Sequence, residues 1–203
     1  MITNNFSKVC CLAMFTLNIV GCAIAAERVY VYKDDGDDVN KGVWSSIMPK
    51  EAADTKALTF ITNSPNGFGG KGTSVKIDFN LDNYPWAGLV APVNDKYWGE
   101  KDYPGLDLSK MKKLVFYAKG DNGNEQIQVK AAFISNKPFG DSAILPVVSP
   151  WYVLTKDWKR YEIKLEDAQN NLKRVISPFS VITNNAHNPN GKFTVHIDEV
   201  FYE

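Results

Sequence analysis

The sequence predicts an all-β fold, a sandwich of two facing antiparallel sheets with about ten strands and little helix. Three observations predict it. Short runs rich in Val, Ile, Tyr, Phe and Thr recur along the chain, turn-rich segments such as "NSPNGFGGKG", "KGDNGNE" and "NNAHNPNG" separate them, and stretches with helical periodicity are nearly absent. The predicted strands cover 28–33, 57–62, 73–79, 86–91, 112–119, 125–133, 151–154, 159–165, 179–183 and 192–202. In "EQIQVKAAF", Ile127 and Val129 alternate with Gln126, Gln128 and Lys130; in "KRYEIKL", Tyr161, Ile163 and Leu165 alternate with Arg160, Glu162 and Lys164. Each such strand has one face for a core and one for water, and two stacked sheets satisfy them all. The one helical turn read in the sequence, 166–174, is too short to form a layer.

The first 26 residues stand apart from the fold. Lys8 precedes an apolar run from Val9 to Val20, broken by Thr16 and Asn18 and followed by small residues, which is the pattern of an export signal. Two processing routes remain open. Ala23-Ile24-Ala25 fits ordinary signal cleavage, whereas Ile19-Val20-Gly21-Cys22 resembles the lipobox of bacterial lipoproteins, in which Cys22 would carry a lipid. The expected location is periplasmic or extracellular, with membrane attachment only through a lipid on Cys22. All three cysteines, at 10, 11 and 22, lie in this leader, so residues 27–203 have neither disulfide nor thiol chemistry. That length suits one domain burying about 70% of its unfolded-chain surface. Acidic and basic residues are equal in number, 23 of each, and no basic stripe supplies the charge that nucleic acid binding needs.

The last strand, "KFTVHIDEVFY", poses a local question. Phe193, Val195 and Ile197 share one face, and an unbroken count would bury the Glu199 carboxylate beside them at heavy cost. A bulge at Asp198-Glu199 resolves this: Val200 and Tyr202 take over the apolar face, Glu199 turns to solvent, and Asp198 is aimed toward the acidic turn after the first strand.

Four segments in order, "WAGLVAPVNDKYWG", "LDLSKMKKLVFYAKGDNGNEQIQVK", "LTKDWKRYEIKLED" and "NPNGKFTVHIDEVFYE", together resemble the galactose-binding-like, jelly-roll carbohydrate-binding modules of bacterial exported proteins. The resemblance covers about Trp86 to Glu203, with a weaker echo in "VYVYKDDGDD". It implies a jelly-roll sandwich and a structural calcium held by Asp198 together with Asp34 or Asp35. Carboxylate-rich loops suit calcium, which takes six to eight oxygen ligands. It also implies a bound polysaccharide or other glycan, without catalysis.

Sugars stack their C–H faces on aromatic rings while polar neighbours bond the hydroxyls. Tyr97 and Trp98, in the polar loop "NDKYWGEKDYPG", and Phe139, Trp151 and Tyr152, in a second irregular region, are the expected platform. Asn94, Asp95 and Asp141 are the expected polar neighbours. Trp158 and Trp86 read as core, and Trp44 is open between core and surface. Catalysis finds little support: the two histidines show no metal-ligand spacing, and no nucleophile elbow or zinc signature is present. The alternatives are an envelope or secreted protein-interaction module on the same fold and a small glycoside hydrolase.

Overall fold

The computed structural model describes residues 27–34, 43–49, 57–94, 98–166 and 171–203. Twelve strands lie in these residues: β1 (Val29–Tyr32), β2 (Ser45–Ile47), β3 (Leu58–Pro65), β4 (Thr73–Asn80), β5 (Trp86–Ala91), β6 (Lys113–Gly120), β7 (Gln126–Ala131), β8 (Val147–Val148), β9 (Tyr152–Val153), β10 (Lys159–Lys164), β11 (Phe179–Asn184) and β12 (Lys192–Tyr202). The first sheet runs β10-β6-β12-β4-β3, with β1 added on β12; the second runs β2-β5-β11-β7-β8, with β9 added on β7. All pairings are antiparallel. β2 and β8, three and two residues long, had no strand assigned from sequence, because so short a run cannot display an alternation. The leader and Cys22, as well as Asp35, Asp95 and Tyr97, lie outside the described residues, as do residues 167–170 of the helical turn read at 166–174.

The core forms where the inward phases meet. Ile127 and Val129 of β7, Leu89 of β5 and Val181 of β11 face Ile77 of β4, Phe116 of β6 and Val195 and Ile197 of β12, all fully buried. Burial of each such side chain contributes about 1.5–3 kcal/mol. Phe116 is the hub, with Phe179 at 5.6 Å from the opposite sheet and Tyr161 stacked on it at 5.4 Å.

The bulge expected in the last strand is present. The pairing of β12 with β6 slips between Asp198 and Phe201, and Glu199 adopts a left-handed φ of 46° that a residue with a Cβ takes only under constraint. Val200 and Tyr202 thereby face the core, Glu199 is half-buried, and Asp198 lies on the outer face of the first sheet opposite Tyr117.

Candidate functional site

Two regions concentrate chemistry, one on the outer face of each sheet. On the second sheet, the residues that alternate with the core phases are Trp86 and Gly88 of β5, Ile182 and Asn184 of β11, and Gln128 and Lys130 of β7. They lie in register, Trp86 beside Asn184, Gly88 beside Ile182, and Ile182 beside Gln128. The side chains of Trp86, Ile182, Asn184, Gln128 and Lys130 floor a cleft of about 670 Å³, with Ile47 on one side and Trp151, Phe133 and Pro146 on the other. Gly88 lets β5 pack closely against its neighbours, since a Cβ there would come within 2.8 Å of the Val181 carbonyl oxygen and within 3.2 Å of Ile47.

Trp151 is held upright by its surroundings. The His187 ring stacks on one face at 3.7 Å, with 13° between planes. His187 is fixed in turn by Asn184, whose Oδ1 lies 2.9 Å from both its backbone N and ring Nδ1, and by Gln126 Nε2, which donates to its carbonyl oxygen. Gln128 Nε2 donates to the Ser149 carbonyl oxygen at 3.1 Å. Half-buried rings at the cleft wall, with amides and an ammonium group across the floor, are the arrangement that accommodates a ligand with an apolar face and polar edges.

The other sequence-expected residues are spread more widely. Tyr152 packs against Phe116 and Tyr161, and its hydroxyl donates to the Glu162 carbonyl oxygen at 2.8 Å, while burial raises its pKa. Asp141 is buried and accepts from the Ile134, Ile176 and Ser177 backbone N–H groups and from Ser177 Oγ, so its carboxylate has no acceptor site left. Phe139 lies half-buried near the Arg174 guanidinium, 5.6 Å from the ring centre. Its backbone N–H donates to Gly99, which places Trp98 in the same loop cluster; Asn94 is half-buried just after β5. Asn94, Trp98, Phe139 and Asp141 lie in the segments that follow β5 and β7, and of the six expected ligand contacts among the described residues only Trp151 lines the cleft.

Two tryptophans read as core are instead on outer faces. Trp86 begins "WAGLVA", in which both phases are apolar or small, so alternation could not say which faced inward. Trp158 shares its phase with Arg160 and Glu162 and lies outside the first sheet. Gln128 and Lys130 were legible as a wet face; Phe133, Ile182, Asn184 and Asn185 carried no sequence signal of their own.

On the first sheet, the loop between β3 and β4 folds over the bulge. Asp198 is 1% exposed; its Oδ2 accepts the Phe68 N–H at 2.6 Å and its Oδ1 accepts the Glu199 N–H at 2.7 Å. Desolvation pushes its pKa up to about 6, outweighing the two N–H donors, and the Asp34 charge adds to the rise. Asp34 accepts from Thr73 N and Oγ1. A Cβ at Gly67 would meet the Thr73 carbonyl oxygen at 2.6 Å and the Lys71 carbonyl oxygen and Asp198 Oδ2 at 2.7 Å, so three oxygens crowd one point. Asp34 and Asp198, which form no ion pair with a cationic side chain among the described residues, and the Lys71 and Thr73 carbonyls are oxygen donors of the kind a hard cation takes. Among the described residues no group of three or more His, Cys, Asp or Glu clusters for a metal.

A scan against protein-family models and a search of curated proteins gave no match. Solved structures do match. A family 30 carbohydrate-binding module of a cellulosomal cellulase of Clostridium thermocellum superposes with a TM-score of 0.60 at 16% identity, covering 87% of this chain and 97% of that one. A family 11 module from the same organism, in complex with a β-1,3-1,4-mixed-linked tetrasaccharide, gives 0.51 at 14% identity, covering 86% and 94%. Over nearly the full length of these modules, the chain has their two-sheet jelly-roll fold.

Proposed function

We propose that this chain is a non-catalytic carbohydrate-binding protein that holds a glycan in the cleft on the second sheet. The carrying observation is the cleft itself, where Trp151, Trp86 and Phe133 border a floor of Gln128, Lys130 and Asn184. Support comes from the fold, shared with modules whose names describe carbohydrate binding and one of which holds a mixed-linked tetrasaccharide. A sugar ring would stack on the open face of Trp151 while the amides bond its hydroxyls; Trp98 and Phe139 would extend the contact surface for a longer chain. Affinity electrophoresis of residues 27–203 through gels containing soluble polysaccharides tests this. Retardation by at least one polysaccharide, weakened about tenfold or more in Trp151→Ala and Trp86→Ala, is expected; migration unaffected by every polysaccharide would overturn the reading.

The carboxylate site is proposed to hold a structural calcium through Asp34, Asp198 and the Lys71 and Thr73 carbonyls, joining the end of the first strand to the last. Calcium would supply the positive charge that two neighbouring carboxylates lack. Thermal melts with calcium and with chelator test it, and an unchanged midpoint would sink it. Export rests on the leader alone, and the mass of the mature N-terminus distinguishes signal cleavage from lipid attachment at Cys22.

One observation favours the second reading, an interaction module. Ile144 and Leu145 are 78% and 76% exposed beside the exposed Val148 of edge strand β8. An apolar sheet edge is a surface that associates. Light scattering of the wild type and Leu145→Asp would reveal self-association through this edge.

A further inference from the structure

The charge of the cleft is one-sided. Among the described residues lining it, Lys130 is the only ionisable side chain and there is no Asp or Glu. Its cross-strand partners, Ser180 and Val148, are uncharged, and among the described residues no carboxylate pairs with its ammonium group. Four lysines on other surfaces are differently placed: Lys76, Lys113, Lys137 and Lys192 pair with Asp78, Glu162, Glu100 and Asp82 at 2.6–3.2 Å. The amides add to the imbalance. Asn184, which lines the cleft, has its Oδ1 occupied by His187, so its Nδ2 is the amide atom left to bond a ligand.

Hydroxyl groups of an uncharged sugar both donate and accept, so a site built for them needs acceptors as well as donors. Among the described residues the acceptors on the floor are neutral amide oxygens, since the Thr183 hydroxyl is buried and bonded to Gln126 and Asn188, and the one charge is a donor. A cation beside apolar walls is screened less than one in open water and favours an anionic partner. The chain carries a formal net charge of +0, so a general attraction for polyanions does not supply that preference.

Building on the glycan-binding reading, we propose that the cleft selects polysaccharides bearing anionic groups, with a carboxylate or sulfate set against Lys130 Nζ and a sugar ring on Trp151. Uronic acids and sulfate esters share this chemistry. The anion would fix the register of the polymer along β7, and the ring would supply the remaining contact.

The test is affinity electrophoresis of residues 27–203 at low and at high salt through five gels. They contain polygalacturonate, its carboxyl-reduced counterpart, a sulfated galactan, its desulfated counterpart, and poly-glutamate as a polyanion without sugar. At low salt, at least one charged polysaccharide is expected to bind about tenfold or more tighter than its uncharged counterpart; which one does so identifies the anion. That advantage should collapse at high salt and in Lys130→Gln, survive in Lys130→Arg, and be lost with all other binding in Trp151→Ala. Equal retardation by the charged and uncharged forms, with Lys130→Gln unchanged, would overturn the anionic preference while leaving glycan binding intact. Equal retardation by poly-glutamate would overturn it as non-specific charge attraction. Retardation by none of the polysaccharides, together with none by neutral β-glucans, removes the glycan reading along with it.

Discussion

The outer faces of the two sheets both carry aromatic side chains, and they use them in opposite ways. On the first sheet the rings are turned on one another: Phe68 stacks on Tyr117 at 3.8 Å, Trp158 meets Phe68 edge-on, and Lys119 sits over Trp158. This cluster roofs the bulge that buries Asp198. On the second sheet, one face of Trp151 is occupied by His187, while Trp151, Trp86 and Phe133 border a cleft. An abundance of surface rings therefore does not define a binding site; what matters is whether a ring face is left over after the protein has packed its own side chains.

The contrast predicts that damage to the first face reads out as stability and damage to the second as binding. The largest effect is expected for Asp198→Ala, which leaves the part-buried Phe68 and Glu199 N–H groups without acceptors. Each such loss costs about 1–3 kcal/mol, so urea denaturation should show about 3 kcal/mol of destabilisation. At a temperature where the variant stays folded, polysaccharide retardation should match the wild type. Destabilisation under about 1 kcal/mol would mean that the loop is held by its aromatic contacts alone.

Gly67→Ala should follow at about 2 kcal/mol, because its Cβ would be driven into backbone oxygens that cannot rotate away. This variant should also blunt any rise in melting temperature on adding calcium, since it fills the point where the oxygens meet.

A pH effect smaller than either substitution is expected from Asp198 in the metal-free chain. Its folded pKa, about 6, lies above the ordinary aspartate value of 3.8, so between those pH values the native state binds more protons than the unfolded chain. Stability should therefore increase as pH falls from 7 toward 4.5. Melts in chelator across that interval check the sign; a decrease in stability over the same interval would show that other carboxylates dominate. The smallest effect is expected for Phe68→Ala, about 1 kcal/mol from the lost stack on Tyr117, again with glycan retardation unchanged.

Strand phase was legible where polar and apolar residues alternated and illegible where they did not. In β7 the alternation of Gln126, Gln128 and Lys130 with Ile127 and Val129 marked a wet face, and that face became the cleft floor. In β5 it failed, because Trp86 is as apolar as Leu89. Loop aromatics proved equally ambiguous: Tyr152 and Trp151 are adjacent in sequence, yet one hydroxyl is tied to the Glu162 backbone and the other ring borders the cleft. Asp141 illustrates the same limit, since a carboxylate in a polar loop reads as available until four donors are found around it.

By itself, the sequence determined the strand count to within two short edge pieces, the sandwich architecture, and the bulge that re-aims Asp198, because each of these follows from local periodicity and from the cost of burying a carboxylate. Only the tertiary structure decided which rings keep an open face. It also determined that the Phe68 loop roofs Asp198 and that Lys130 stands without a carboxylate among the described residues. Those outcomes depend on contacts between segments far apart in the chain, and no local pattern of residue types encodes them.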